Sequence, residues 1–561
     1  MSSYLRDITL GACVSEMFQK AVGPLDQPWP LKPGTIFPAE IEEPLAALRV
    51  HPGEVQPDMI LPFVPRAAEV DQSSDRHLAT LARILAESVS VQAAATWLME
   101  KQPWDFAAVY FDGIDHLSHA FMPFYPPRLD EISERDYALY SGVVARTYEY
   151  HDMMLGRLMA LAGDDAHIML ISDHGFYSNH LRPRGIPDEP SGPTVCHRPM
   201  GIFCLTGPGI RQDARVYGAG ILDVAPTVLT LFGLPVGRDM DGKLIGDAFE
   251  TPPDIQRIDS WELLEGESGM HAVERRRDPL EAQEAIDQLV ELGYLTPLEE
   301  NKASTVELAA REIELNLAMT HLSAGHAAEA AELLRRLAGE LPNRPRIRLL
   351  LGQCLMNLGE HDQAQNIIEE LVKDHRDSAP AQLLLGSLHF AKGRAREALV
   401  HLRAAEMANP RLPSLHCILG RVYARRRMWR AARRAFLKAL QIDEDSAIAH
   451  EGLAQCYLAM LSPERAASAA LRAIGLMHCF PEAHFDLGLA LVRLGNYPRA
   501  VQAFETCIYY RPRHVRATRW LGRLHLRVYK DETKAQEYFL RSESIRAGAL
   551  AVEADVIKNT A

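Results

Sequence analysis

The sequence predicts two folds in tandem: an α/β sheet covered by helices, then an all-α solenoid of repeated helical hairpins. Three observations carry this. Small residues recur on a 34-residue grid through the second half. In the first half, apolar runs of strand length alternate with stretches of helical spacing. Carboxylate and imidazole residues cluster directly after those apolar runs. The bulk properties agree. A chain of 561 residues exceeds one ordinary domain, and 47% apolar with 24% charged residues is normal for a globular protein. A formal charge of −14 argues against a general nucleic-acid binder.

Residues 1–40 are rich in Pro and Gly and lack periodicity. Helical spacing follows over 76–101, with Leu78, Leu81, Leu85 and Val89 on one face. Phe106–Phe111 (FAAVYF) reads as a buried strand. A long helix is expected over 134–162, with Gly163 as its stop. His167–Ser172 (HIMLIS) and Gly201–Leu205 (GIFCL) read as two more strands, the latter ended by Gly207-Pro208-Gly209. A further helix is expected over 221–233. Thr251-Pro252-Pro253 reads as a linker, and a connector helix is expected from Asp278 to Gly293. The expected domains are therefore 1–250 (α/β), 251–304 (linker and connector), 305–548 (solenoid) and 549–561 (tail).

The solenoid rests on a strict period. Gly352, Gly386, Gly420, Gly488 and Gly522 share the 34-residue grid, with Ala318 and Ala454 filling further positions. Twelve residues after all of these but Gly522 comes Ala330, Ala364, Ala398, Ala432, Ala466 or Ala500. Small residues at both places let two helices of one hairpin approach closely. Large apolar residues follow at Leu334, Ile368, Leu402, Phe436, Phe504 and Tyr538, and Pro342, Pro410 and Pro512 mark hairpin ends. This pattern resembles the tetratricopeptide repeat, with seven units starting near 311, 345, 379, 413, 447, 481 and 515. The resemblance implies a protein-binding scaffold.

Three polar clusters carry the chemistry of the first half. Asp115 and His119 (in FDGIDHLSH) stand i,i+4 on one face of a helical turn. Asp173-His174-Gly175 follows the second strand, and Gly175 provides for a sharp backbone turn there. His197 precedes the third strand. If the first two strands are parallel, their clusters share one sheet edge, where open α/β sheets bind ligands. His197 joins them only if the third strand runs antiparallel. Carboxylate plus imidazole suits zinc, with manganese the alternative. His116 beside His119 and Asp112 beside Asp115 compete for the same roles.

Tyr110, Asp115 and His119, then Ser172-Asp173-His174-Gly175, then His197 and Gly207-Pro208-Gly209, resemble the type I phosphodiesterase/nucleotide pyrophosphatase family of the alkaline phosphatase superfamily. The likeness covers about residues 1–250. It implies an alkaline-phosphatase-like sheet and two zinc ions that clamp a phosphoryl group. By it Asp115, His119 and His197 hold one metal, and Asp173 and His174 hold the second with one more Asp. It also implies a Thr or Ser nucleophile. Neither that Asp nor that nucleophile is found in residues 1–60, so no catalytic residue is assigned. The expectation is an N-terminally incomplete domain: a truncated product, a split enzyme or a pseudoenzyme. An apolar sheet edge would then need cover. Turnover by this chain alone is expected to be weak or nil.

Two arginine stripes mark the solenoid. Arg519, Arg523 and Arg527 stand i, i+4, i+8, and Arg421 and Arg425 do the same three repeats earlier. Residues 421–438 hold eight basic residues and no acidic one. Two readings stand, a solvated helix face or a docking groove for an acidic partner segment. Eight scattered cysteines without a C-x-x-C read as reduced core thiols of a cytoplasmic protein. No transmembrane helix and no signal peptide are expected, since no apolar run is long enough and the first residues lack a charged segment followed by an apolar stretch. The function expected is a metal-dependent phosphoester hydrolase domain joined to a protein-binding scaffold. The alternative is a non-catalytic scaffold with a relic hydrolase domain.

Overall fold

The computed structural model describes residues 11–20, 25–26, 29–31, 34–179, 181–183, 195–198, 200–216, 218–251, 253–264, 311, 314–322, 325–412 and 414–559. The chain divides into two compact units, residues 1–312 and 313–561. The connector helix expected over 278–293 lies outside the described residues.

In the first unit β1 (Cys13–Val14) pairs antiparallel with β2 (Ile36–Phe37). Short helices α1 (Glu42–Ala46) and α2 (Pro57–Ile60) lead to the long α3 (His77–Lys101). The Asp75 carboxylate accepts the His77 N–H at 2.9 Å at its start. Gln102 closes it, because the residue before Pro103 is held out of the helical region. Then come α4 (Gly113–Phe121), α5 (Glu134–Tyr140) and α6 (Val143–Ala162). The single helix expected over 134–162 is thus two, broken at Ser141-Gly142, where glycine is a poor helix former. Gly163, at φ 79°, stops α6 as expected. Leu81, Leu85, Leu117, Phe121, Tyr140 and Val143 form the core that fixes α4 against α3 and α6. The Tyr140 hydroxyl donates to Asp75 at 2.7 Å, which satisfies the one polar atom of that buried ring.

The sheet is much smaller than the sequence suggests. β3 (Ile168–Ile171) pairs antiparallel with β6 (Phe203–Thr206), Ile168 opposite Thr206 and Ile171 opposite Phe203. Between them β4 (Gly175–Phe176) pairs antiparallel with β5 (His197–Arg198). After α7 (Val224–Leu231), β7 (Val236–Gly237) pairs in parallel with β8 (Arg257–Ile258), inside the stretch expected to be linker. Every ladder among the described residues is two-stranded. Residues 106–111 form no ladder among them, and Phe106 and Tyr110 are more than half exposed. An apolar run becomes a strand only against a neighbouring strand, and that neighbour is a non-local matter.

The second unit is all helical. Residues 314–322 and the helix Ala327–Glu340 are followed by helices in pairs: Pro345–Asn357 with His361–Asp374, Ala379–Ala391 with Ala395–Ala408, Leu415–Arg425 with Trp429–Ile442. Ala447–Ala459 with Pro463–Leu476, Pro481–Arg493 with Tyr497–Tyr510, and Val515–Leu524 with Glu532–Asn559 complete them. First helices pack against the first helices of the next pair and so line one face. The grid glycines work as expected: a Cβ on Gly420 would lie 2.6 Å from the Phe436 ring. Repeat five has Ala454 on the grid. There Gly452 gives the same ring room, since its Cβ would lie 2.2 Å away.

The last pair departs from the period. A π-helical turn, His525–Tyr529, ends at Lys530 with φ 58°. It inserts one residue, so Phe539 and not the expected Tyr538 faces Gly522. The buried small residue is likewise Ala535, one place beyond the grid. The final helix continues to Asn559, past residue 548 where a tail is expected.

Candidate metal centre and repeat face

The antiparallel run of β3 and β6 is the arrangement that His197 requires. His197 lies on β5 opposite Phe176 of β4, while α4 presents Asp115 and His119 one turn apart. The four groups meet. Asp115 Oδ2 lies 3.6 Å from His119 Nε2, and its Oδ1 lies 3.5 Å from His174 Nε2 and 3.6 Å from His197 Nε2. His119 Nε2 and His197 Nε2 are 2.9 Å apart. The His174 and His197 rings stack at 3.7 Å. Asp173 stands 3.8 Å from His174, with its side chain 68% exposed.

Gly175 serves by close approach more than by a turn: a Cβ there would meet the Met200 carbonyl oxygen at 2.9 Å. The chain just beyond β5 thus runs close against β4, next to His174. Phe176, which sequence reasoning missed, packs edge-on against His119, His174 and His197. Its only sequence signal is its place after Asp-His-Gly.

Burial dominates the electrostatics of this cluster. Burial, with the charges of Asp173 and Asp112, pushes the Asp115 carboxyl up to about 7. Burial and then His174 push His119 down to about 4, and burial with His174 and His119 pushes His197 down to about 3. Neutral imidazoles have lone pairs to donate. Both Asp115 oxygens are buried without a hydrogen-bond partner among the described residues. Asp115, His119 and His197 have ligand atoms mutually within 4.8 Å. This donor set fits zinc.

The competing residues face elsewhere. Asp112 and His116 turn toward Glu87 of α3, with His116 Nδ1 at 3.9 Å from Glu87 and 4.0 Å from Asp112. Lys20 places its ammonium 3.5 Å from Glu87 and 3.8 Å from Asp112, and with Arg83, 3.0 Å from Glu87, supplies positive charge to that buried cluster. Arg182, also unforeseen, is buried and donates to the carbonyls of Met122, Pro123, Tyr125 and Pro127. It thereby fixes the chain that leaves α4.

On the solenoid Arg421, Arg425, Arg519, Arg523 and Arg527 are all exposed. Among the described residues none of the five lies in an ion pair. Arg425 covers the Phe390 ring at 5.5 Å and Arg523 covers Trp520 at 5.2 Å. Arg527 sits in the π-helical turn, off the α-helical register of Arg519 and Arg523. Arg516, which the stripe reading passed over, lies 4.4 Å above the buried Phe485 ring.

Comparison with known proteins divides the chain in the same way. Residues 29–188 match the family described as type I phosphodiesterase / nucleotide pyrophosphatase, a span that includes Asp115, His119, Asp173 and His174. Residues 321–388, 419–483 and 485–549 match tetratricopeptide repeat families. A stretch of 146 residues, 25% of this chain, is 32% identical to Superkiller complex protein 3 of Mus musculus, and it spans 9% of that protein's length. Similar solved structures include pilF of Pseudomonas aeruginosa, 18% identical over 38% of this chain and 97% of that one, TM-score 0.33. YrrB, a TPR protein with an unusual peptide-binding site, is 21% identical over 34% of this chain and 97% of its own, TM-score 0.27. A tetratricopeptide repeat protein from Parabacteroides merdae is 18% identical over 42% and 93%, TM-score 0.34. No helix among the described residues is long and apolar enough to cross a membrane.

Proposed function

We propose, from a phosphodiesterase-family domain followed by tetratricopeptide repeats, that this chain joins a divalent-metal phosphoester-hydrolase site to a protein-docking scaffold. One observation carries the reading. Imidazoles converge on a buried carboxylate whose oxygens are otherwise unpartnered. Asp115, His119 and His197 would hold one zinc ion, and His174 with Asp173 would face a second. Bound there, the metal would supply Lewis-acid polarisation of a phosphoryl oxygen. The chain's own residues do the positioning. α4 sets Asp115 and His119 one turn apart, the β4–β5 pairing sets His197 beside His174, and Phe176 restrains the three imidazole planes. The substrate class is a phosphodiester of the nucleotide kind. The exposed arginines of the repeats favour an acidic segment of a partner protein.

The second reading, a non-catalytic scaffold with a relic hydrolase domain, is favoured by Asp173, whose exposed side chain leaves the second ion a thin ligand set. Metal analysis after dialysis, with release of nitrophenolate from bis(p-nitrophenyl) phosphate, separates the two. Metal lost in His197→Ala, with metal-dependent release above background, supports the hydrolase. Metal without release supports the scaffold. A wild type that retains no metal sinks the metal site itself.

A further inference from the structure

The family resemblance gives Asp115 to one ion, with His119 and His197, and leaves the second ion to His174 and Asp173. The ring geometry gives Asp115 more. The His119 and His197 planes cross at 56° and their Nε2 atoms are 2.9 Å apart. An imidazole nitrogen donates in the plane of its ring, so crossing planes let two lone pairs meet on one ion. Ligand nitrogens of one tetrahedral zinc stand about 3.3 Å apart, close to this separation.

His174 is placed differently. Its ring is inclined by only 11° to that of His197, with the centroids 3.7 Å apart. Two nearly parallel planes at that separation do not meet within a bond length of both nitrogens. His174 and His197 therefore do not converge on a single ion. They can hold two ions side by side. Their 3.7 Å separation falls within the spacing of paired ions in two-metal phosphoryl sites, about 3.5–4 Å. Phe176 stands edge-on to both rings, at 64° and 70°, and so opposes their rotation out of the stack.

Asp115 lies where both ions need an oxygen. Its Oδ1 is 3.5 Å from His174 Nε2 and 3.6 Å from His197 Nε2, and its Oδ2 is 3.6 Å from His119 Nε2. These separations are longer than ordinary hydrogen bonds. Both oxygens are buried with no hydrogen-bond partner among the described residues. A carboxylate spent on one ion leaves the His174 side to Asp173, which is 3.8 Å from that ring with its side chain 68% exposed.

We propose that Asp115 is the shared carboxylate of a two-ion centre, Oδ2 serving the ion of His119 and His197, and Oδ1 the ion of His174. The inference rests on the metal-site reading of the proposed function and supplies the ligand that the second ion otherwise lacks. Both ions then depend on one side chain of α4.

The test is zinc content per chain after dialysis, with circular dichroism as the folding control. Wild type should retain about two ions, and His119→Ala and His174→Ala about one each. Asp115→Ala should retain none. One ion kept in Asp115→Ala overturns the bridge and leaves the two-ion reading standing. One ion in the wild type also overturns the bridge, whereas no ion there overturns the metal site itself and the bridge with it. Loss of both ions in His174→Ala overturns the bridge too, because the loss in Asp115→Ala would then report general coupling of the two ions. Should Asp115→Ala fail to fold, Asp115→Asn decides by zinc titration. Both binding steps weakened about tenfold or more support the bridge, and one step left at the wild-type affinity overturns it.

Discussion

Metal affinity at the Asp115 centre should depend on pH through one carboxylate and not through the imidazoles. In the metal-free protein Asp115 titrates near 7, whereas His119 and His197 titrate near 4 and 3. A metal must displace the Asp115 proton below that pH and meets little proton competition from those two histidines above about pH 5. About a tenth of Asp115 is ionised one unit below its pKa and about nine tenths one unit above. Apparent affinity should thus rise roughly ninefold from pH 6 to pH 8, about 1.3 kcal/mol. The sign is fixed, because a raised carboxyl pKa weakens a cation as pH falls. Competition against a chromophoric chelator of known proton affinity measures this directly. Asp115→Asn should bind more weakly and show no such slope. A flat wild-type profile, or one that falls with pH, would refute the assignment of Asp115 as the titrating ligand.

Charge reversal of Arg519, Arg523 and Arg527 to Glu should abolish binding of an oligoglutamate peptide with helicity unchanged, because exposed charges contribute little to folding. Wild-type binding should weaken with salt, since screening acts over about 8–10 Å near physiological ionic strength; unchanged binding in the folded variant would leave the stripe a solvated face. Leu461 lies in the left-handed region at φ 59° and is 79% exposed. Leu461→Gly should relieve about 1 kcal/mol of backbone cost, less glycine's larger entropy loss. The net is roughly 0.5 kcal/mol, or about 1–2 °C in Tm for a unit of this size; a lower Tm would contradict this account.

The solenoid was legible because its signal is local and repeated. Gly420 stands where Phe436 needs room, and the same contact recurs at Gly352, Gly386, Gly488 and Gly522. A third grid went unread. Gly325, Gly359, Gly393 and Gly495 take positive φ at 34-residue spacing, and Arg427 and Leu461 hold the same conformation between them. Those two substitutions hid the pattern. In the first unit the residue types of the cluster were legible, and the family resemblance, not the spacing, singled out Asp115/His119 over Asp112/His116. Both pairs are i,i+4 on α4, and only Glu87 and Lys20, far away in sequence, claim the first pair. The apolar run 106–111 misled for the same reason. Composition states a preference for a ladder, whereas its partner is set by the whole fold.

The extra residue in the turn His525–Tyr529 has a geometric consequence for the array. One residue advances a helix by 1.5 Å and turns it by about 100°. Every side chain after Lys530 is therefore out of phase with the six hairpins before it. The last hairpin seats itself only because Phe539 and Ala535 are displaced by the same step. A further unit appended in strict period would aim its bulky residue a quarter turn or more away from the small residue meant to receive it. The solenoid behaves here like a screw with one skipped tooth. Any graft that lengthens it must carry the turn and the helix Glu532–Asn559 together, or delete one residue to bring the thread back into step.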